Sequence, residues 1–405
     1  MAKLSFADRL KKKTNNHRVH SLTKNLPVIQ KNKIVFYASN DFSDNCLALY
    51  EYIVDEGLDK SYDIVWLVRD VKKAEAANKK RIGGKARFVK VKDDRIGIWL
   101  YGAQREAMSA NLLFFTHSLN WVKVKRPEQT FVNLWHGCGY KGEKIKRDGT
   151  KRRAKYFNIC TVTGPKYIDV QAKLFETDRD RIISTGYART DWFLTKKKAA
   201  EEYYANLLRE ANATKCVIWM PTFRQSTLAN LADETECGEL GLPLLRTKEE
   251  LERLNRLCAK LEVLLIIKTH NLQSAYAIED MSNIICIDNN TLDKHEINLY
   301  GFIANTDGLL SDYSSVAIDY MLLDKPIGYI LADFDEYEKI RGWDMDNVKE
   351  YMPGNHIYTF EELAFYLESI ASSEDSFKDW RHKVNREVNI DSNNHCKNII
   401  DYLKL

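Results

Sequence analysis

Nowhere does the chain run for about 18 consecutive apolar residues, so no segment reads as a membrane-spanning helix. Excess charge is equally scarce. Its 405 residues hold 61 Lys and Arg against 57 Asp and Glu, a net of +4 that argues against a dedicated nucleic-acid binder and leaves room for local basic patches. The eight cysteines, at 46, 138, 160, 216, 237, 258, 286 and 396, form no CxxC pair, and several sit inside apolar runs such as KCVIWMP and NIICID. A disulfide framework is thereby disfavoured, and buried free thiols in a reducing compartment are expected. Neither a GxxxxGK[ST] loop nor a GxSxG elbow occurs, which sets aside the P-loop and the serine-hydrolase elbow. There is no internal repeat and no low-complexity segment.

The N-terminus lacks the apolar core of a signal peptide. It is basic instead, with Lys3, Arg9, Lys11, Lys12, Lys13, Arg18 and Lys24 against Asp8. Such a segment reads either as a solvated, partly disordered tail or as a strip lying on an anionic membrane leaflet, where each basic residue contributes about 1 kcal/mol.

What is present is alternation. A chain of this length is expected to form two domains. Short apolar runs rich in β-branched residues alternate with amphipathic stretches, the pattern of βαβ units with parallel sheets. Strands are expected at 33–39, 62–68, 86–91, 111–117, 130–137, 158–164 and 181–187, with helices at 44–57, 97–109 and 165–182. The pattern restarts with strands at 215–224, 263–270, 283–289, 308–312 and 326–331 and helices at 247–262, 295–306 and 314–323. Thr247 is the expected N-cap of the first of these helices. A charged helical region at 188–214 joins the halves, and 224–243 reads as a long polar loop. The expected division is a basic segment at 1–30, a Rossmann-like domain at 31–200, a second at 201–365, and helices at 366–405 that pack across the molecule. The fold class is therefore α/β, two doubly wound domains facing each other across a cleft at the carboxyl ends of their strands.

The polar punctuation falls at those strand ends. In SDYSS, Ser314 or Ser315 can cap the following helix, or the same amides and hydroxyls can hold a phosphate. Asp312 beside them would repel a phosphate unless it holds a loop or a ligand hydroxyl. In NLWHGCGYKG, His136 follows a strand and precedes three glycines, which let backbone approach a ligand closely. A histidine there suits proton transfer near neutral pH, although a purely structural one would donate to a carbonyl. Lys268 and His270 end a strand in the second half in the same manner, and Arg224 in PTFRQS offers a planar, bidentate phosphate ligand. No Cys or carboxylate spacing completes a zinc site around the histidines. The stretch from Lys141 through Lys144, Lys146, Arg147, Lys151, Arg152, Arg153 and Lys155 is either a solvated charge run or a patch for an acidic acceptor or membrane.

Taken in order, LWHGCGYKG, TGYARTD, MPTFR, IIKTH, LLSDYSSVAIDYMLLDKPIGYI, FDEYEKIRGWDMD and MPG span about residues 130–355 and resemble the CDP-glycerol glycerophosphotransferase family of teichoic acid synthesis. The resemblance implies a GT-B fold acting peripherally at the cytoplasmic face of the membrane. It implies transfer of a polyol phosphate from CDP-glycerol or CDP-ribitol to a hydroxyl of a polyprenyl-diphosphate-linked acceptor, with no cofactor and no bound metal. It makes His136 the base that deprotonates the acceptor and His270 the group beside the donor pyrophosphate. Arg224, Asp312, Ser314, Ser315 and Lys268 would serve the donor phosphates, and Glu336 and Arg341 the alcohol or cytidine. Gly137, Arg189 and Asp191 would support the cleft, while Lys141, Lys144, Lys146, Arg147, Arg152 and Arg153 would meet the acceptor or the membrane. Cys138-Gly139 and Asn271 stand where many members have Thr-Pro and Pro. Two other readings remain: a GT-B glycosyltransferase or epimerase using a sugar nucleotide, and a non-catalytic relative that only binds.

Overall fold

The computed structural model describes residues 6–91, 100–119, 121–122, 124–142, 156–222, 240–268 and 278–405. It begins with helix α1 (Phe6–Lys24). Where the sequence reads either as a solvated, partly disordered tail or as a strip on an anionic leaflet, the structure has a helix whose Val19 and Leu22 are buried.

The first half alternates β1 (Gln30–Tyr37), α2 (Asp44–Asp55), β2 (Asp63–Val68), α3 (Val71–Arg81), β3 (Arg87–Lys90), α4 (Leu100–Ser109), β4 (Ala110–Phe115), β5 (Thr130–Asn133), β6 (Ile159–Val162), α5 (Lys166–Phe175) and β7 (Ile182–Ser184). Its strands pair in parallel in the order β3-β2-β1-β4-β5-β6-β7. Helix α1 packs on α4. A 3₁₀ turn at 188–191, α6 (Trp192–Thr195) and α7 (Lys197–Glu210) lead to the second half. There β8 (Lys215–Trp219), α8 (Lys248–Lys260), β9 (Val263–Lys268), β10 (Ile284–Ile287), α9 (Asn289–Lys294), α10 (Leu299–Ile303), β11 (Gly308–Ser311), α11 (Val316–Tyr320), β12 (Ile327–Ile330), α12 (Phe334–Ile340) and β13 (Asn355–Ile357) follow. This sheet is also parallel, ordered β10-β9-β8-β11-β12-β13.

Both sheets thus wind outward for three strands and then reverse, between β1 and β4 and between β8 and β11. Strands buried on both faces explain the unbroken apolar runs; all of β9 is buried. Helix α8 forms where expected, since Thr247 and Glu250 close a capping box and Leu251, Leu254 and Cys258 turn one face inward. The helix expected at 295–306 shortens to α10, and α9, which was not expected, precedes it. Glu296 turns left-handed at φ 61, and Asn298 caps α10 by accepting from the amides of Tyr300 and Gly301. The helix expected over 165–182 stops at Phe175, where Glu176 has φ 52.

The chain ends in α13 (Phe360–Ser372), α14 (Lys378–Val388) and α15 (His395–Leu403). Helix α14 contacts both α5 and the turn at 321–323, while α15 returns to the first half against α2 and the turn at 188–191. The largest apolar cluster runs through both halves, from Val35 and Phe131 to Tyr329 and Val388. None of the helices among the described residues is long and apolar enough to cross a membrane.

Candidate active site

The site lies where the carboxyl ends of the two sheets meet. From the first half, β5 runs out into Trp135, His136 and Gly137. Trp135 has a left-handed backbone (φ 51), which a bulky side chain rarely adopts unless its surroundings impose it. Here they do. Asn133 Oδ1 accepts from the Trp135 amide at 3.0 Å, and Asn45 Nδ2 donates to the carbonyls of Leu134 and Trp135 at 3.1 and 3.0 Å. Thr161 Oγ1 adds a bond to the Leu134 carbonyl at 3.1 Å. Asn45 Oδ1 in turn accepts from the Arg189 amide, so the loop and the turn at 188–191 are held as one.

From the second half, β11 runs into Asp312, Tyr313, Ser314 and Ser315. Asp312 is fully buried, and both of its oxygens accept from Thr222, from the amide and the hydroxyl. It therefore fixes Thr222, two positions before Arg224, a residue outside the described set. Tyr313 is held by a bond from its hydroxyl to Asp333 and by the rings of Tyr337 and Trp343. The expected helix at 314–323 shortens to α11 plus a 3₁₀ turn at 321–323. The hydroxyl of Ser315, at the N-cap position, makes no capping bond, because the residue already has helical angles and its oxygen points elsewhere.

It points at Gly137. A Cβ there would lie 2.4 Å from Ser315 Oγ, and one at Gly139 would lie 3.1 Å from Ser315 Cβ. A Cβ at Gly142 would fall 2.7 Å from the Gly342 carbonyl carbon. The three glycines were expected to admit a ligand; what they admit in this structure is the other domain. The seam continues through backbone bonds from Gly142 N to Gly342 O (2.8 Å) and from Asp344 N to Tyr140 O (3.2 Å).

Arg189 spans the same seam. Its Nη1 donates to Asp44 Oδ1 and to the carbonyl of His136, both at 2.7 Å, and its Nη2 donates to Asp319 Oδ2 of α11 at 2.8 Å. Tyr300 also donates to Asp319. Burial works against the charged guanidinium, but Tyr300, Asp319 and Asp44 outweigh it and hold its pKa well above the ordinary value.

Between the halves is a cavity of about 260 Å³ lined by Trp135, His136, Gly137, Gly139, Lys141, Gly142, Val170, Gln171 and Leu174 on one side and Tyr313, Ser314, Ser315, Arg341 and Asp344 on the other. That is slightly below the roughly 300–1,000 Å³ usual for a ligand pocket, enough for a pyrophosphate and a short polyol. The structure thus gathers His136, Gly137, Lys141, Ser314, Ser315 and Arg341 around one space. It does not bring in Glu336, which is exposed on α12. Asp191 also lies elsewhere, accepting from the amides of His395 and Cys396 at the start of α15. Lys268 ends β9 with its side chain buried, and desolvation draws its pKa down to about 8 against the pull of Asp288. His270, Arg224, Lys144, Lys146, Arg147, Arg152 and Arg153 lie outside the described residues.

Cys138 is buried with its sulfur 2.9 Å from the Tyr187 hydroxyl. Burial pushes its thiol up to about 11, so it offers no competing thiolate. Among the described residues no group of three or more His, Cys, Asp or Glu is placed to hold a metal ion. Sequence reasoning missed Asn45, Asn133, Asp44, Asp319, Tyr300 and His117. The last carried a signal, a histidine at a strand end; the others are ordinary residues whose partners lie far along the chain.

With this geometry in view, comparison with known proteins decides the family. The model of CDP-Glycerol:Poly(glycerophosphate) glycerophosphotransferase matches residues 16–403. The chain belongs to this family. It is accordingly a transferase of the class that moves a polyol phosphate in teichoic acid synthesis. It is 23% identical over 374 residues to the teichoic acid glycerol-phosphate transferase of Staphylococcus aureus (strain NCTC 8325 / PS 47), covering 85% of each. It is 27% identical over 235 residues to the teichoic acid ribitol-phosphate primase of Bacillus spizizenii (strain ATCC 23059 / NRRL B-14472 / W23), covering 55% of this chain and 56% of that protein. It spans 64% and 57% of the S. aureus ribitol-phosphate polymerases TarK and TarL. A histidine variant of the wall teichoic acid polymerase TagF with CDPG superposes with a TM-score of 0.74 at 20% identity, over 99% of this chain and 98% of that one. The S. aureus MnaA-UDP co-structure gives 0.54 at 9% identity, covering 92% and 96%. The fold is GT-B-like, a likeness of fold that also takes in this UDP-bound protein.

Proposed function

We propose that this transferase moves glycerol phosphate from CDP-glycerol to a hydroxyl of a polyprenyl-diphosphate-linked acceptor at the cytoplasmic face of the membrane. CDP-ribitol is the other candidate donor. The observation that carries the reading is the two-sided cavity, with an imidazole supplied by one sheet and a hydroxyl-bearing turn by the other. The acceptor hydroxyl gives its proton to His136 as its oxygen attacks the phosphorus that bears the alcohol. The bond from that phosphorus to the bridging oxygen breaks, and CMP leaves. Phosphoryl transfer asks mainly for alignment and charge neutralisation. Ser314, Ser315 and Arg341 supply part of the latter, with Arg224, Lys268 and His270 assigned to the same phosphates. These groups do so without a resident metal, so chelation by EDTA should leave turnover unchanged.

The test is CMP release from a panel of CDP-alcohols in the presence of a lipid-linked acceptor. Release from CDP-glycerol, lost by about 10²–10⁴ in His136→Ala with the melting temperature preserved, supports the reading. Release of UMP or UDP from sugar nucleotides, with no CMP from any CDP-alcohol, would sink it. For the membrane surface, a truncation that starts near Lys33 should lose binding to anionic vesicles if α1 makes the contact.

A further inference from the structure

The ring of His117 lies flat on the ring of His136. Their centroids are 3.8 Å apart and the planes differ by 8°. The arrangement follows from strand register. Phe115 of β4 pairs with Asn133 of β5, so two residues further on the parallel strands deliver His117 and Trp135 side by side. Both have left-handed backbones, φ 66 and φ 51. Histidine visits this region more readily than most residues, but a tryptophan rarely does, and Trp135 beside the two imidazoles marks a site where geometry is imposed.

We propose that His117 is a positioning residue that fixes the plane of the His136 imidazole and keeps it unprotonated. The proposal rests on the reading of His136 as the general base. Two imidazoles stacked face to face cannot both carry a proton without strong repulsion, so the pair titrates as a unit. His117 is exposed and water can solvate its charge, whereas His136 is half-buried. The surroundings push the same way. Arg189 donates to the carbonyl of His136, and Lys141 and Arg341 line the same cavity. Against them stand Asp344 across the cleft and Asp44, whose carboxylate is already bonded to Arg189. The first proton therefore goes to His117, where the cation rests on the neutral face of His136. The second is driven to lower pH, and His136 stays able to accept a proton from the acceptor.

Two variants separate orientation from charge. In His117→Ala the plateau of kcat should fall about tenfold from lost alignment, with the KM for CDP-glycerol little changed. The acid limb of its pH profile should move up by about half a unit or more. In His117→Phe the plateau should recover, because a ring again covers His136, while the limb stays shifted because the charge is gone. An unmoved acid limb in both variants, or a wild-type plateau in His117→Ala, overturns the proposal. A substrate-free readout keeps it separate from the assigned reaction. The imidazole signals of His136, followed by NMR in wild type and His117→Phe, should titrate at higher pH in the variant. Equal titration refutes the pairing even if CMP is released, and a shift supports it even if no CDP-alcohol is turned over.

Discussion

A methyl group at Gly137 would sit 2.4 Å from Ser315 Oγ and 3.0 Å from Ser315 Cβ, so the hydroxyl must leave its place in the cleft and the two loops must ease apart. Gly137→Ala should therefore lower CMP release at least tenfold while costing about 1–3 kcal/mol, as overpacking does; paired turnover and urea-denaturation measurements check it. Arg189 makes the complementary point for charge. Its partner Asp319 is almost fully buried, so Asp319→Ala leaves the guanidinium with Asp44 as its one remaining carboxylate among the described residues and should cost about 1–3 kcal/mol. Arg189→Lys is no conservative change, because an ammonium cannot reach Asp44, Asp319 and the His136 carbonyl together. Lys268 gives a pH dependence. Folded, it loses its proton at about 8; unfolded, it keeps it to about 10.4. Between those values the unfolded chain binds more protons, so this group makes stability rise with pH across that window and adds no slope below it. Urea midpoints taken through the window should show that rise in wild type and lose it in Lys268→Met.

At the scale of elements, legibility follows how local the determinants are. Helix α8 can be read from the sequence because its cap, its capping box and its apolar stripe all lie within the segment. The strand runs are equally legible, since continuous burial demands continuous apolar sequence. The break between α9 and α10 is not, because it depends on a left-handed turn at Glu296. Strand β13, three residues on the sheet edge beside β12, is too short to carry a period. Helix α15 is visible as a helix, but its docking is not. It is seated by Asp191, which accepts two of its first amides and lies more than 200 residues earlier. Asp191→Ala should raise hydrogen exchange across 395–403 and spare β1 and β4, the outcome expected when a helix start loses its acceptor.

At the scale of the whole molecule, the two sheets share one apolar cluster and each half also has a cluster of its own. The largest apolar cluster draws on both halves and on α14, and backbone bonds cross the seam. Calorimetry should accordingly give one cooperative transition for the wild type, and Asp319→Ala should broaden or split it as the halves uncouple. What the sequence determined by itself is the alternation of strand and helix, the doubly wound class, and the motifs that placed His136, Ser314 and Ser315 at strand ends. What only the tertiary structure decided is how those ends meet: glycines that admit a serine from the other domain, an arginine shared between carboxylates 145 and 130 residues away, and one imidazole laid on another. Periodicity and capping act over a few residues and leave their mark in the local sequence. A contact closed across a hundred residues is set by the packing of the sheets between, and no local pattern records it.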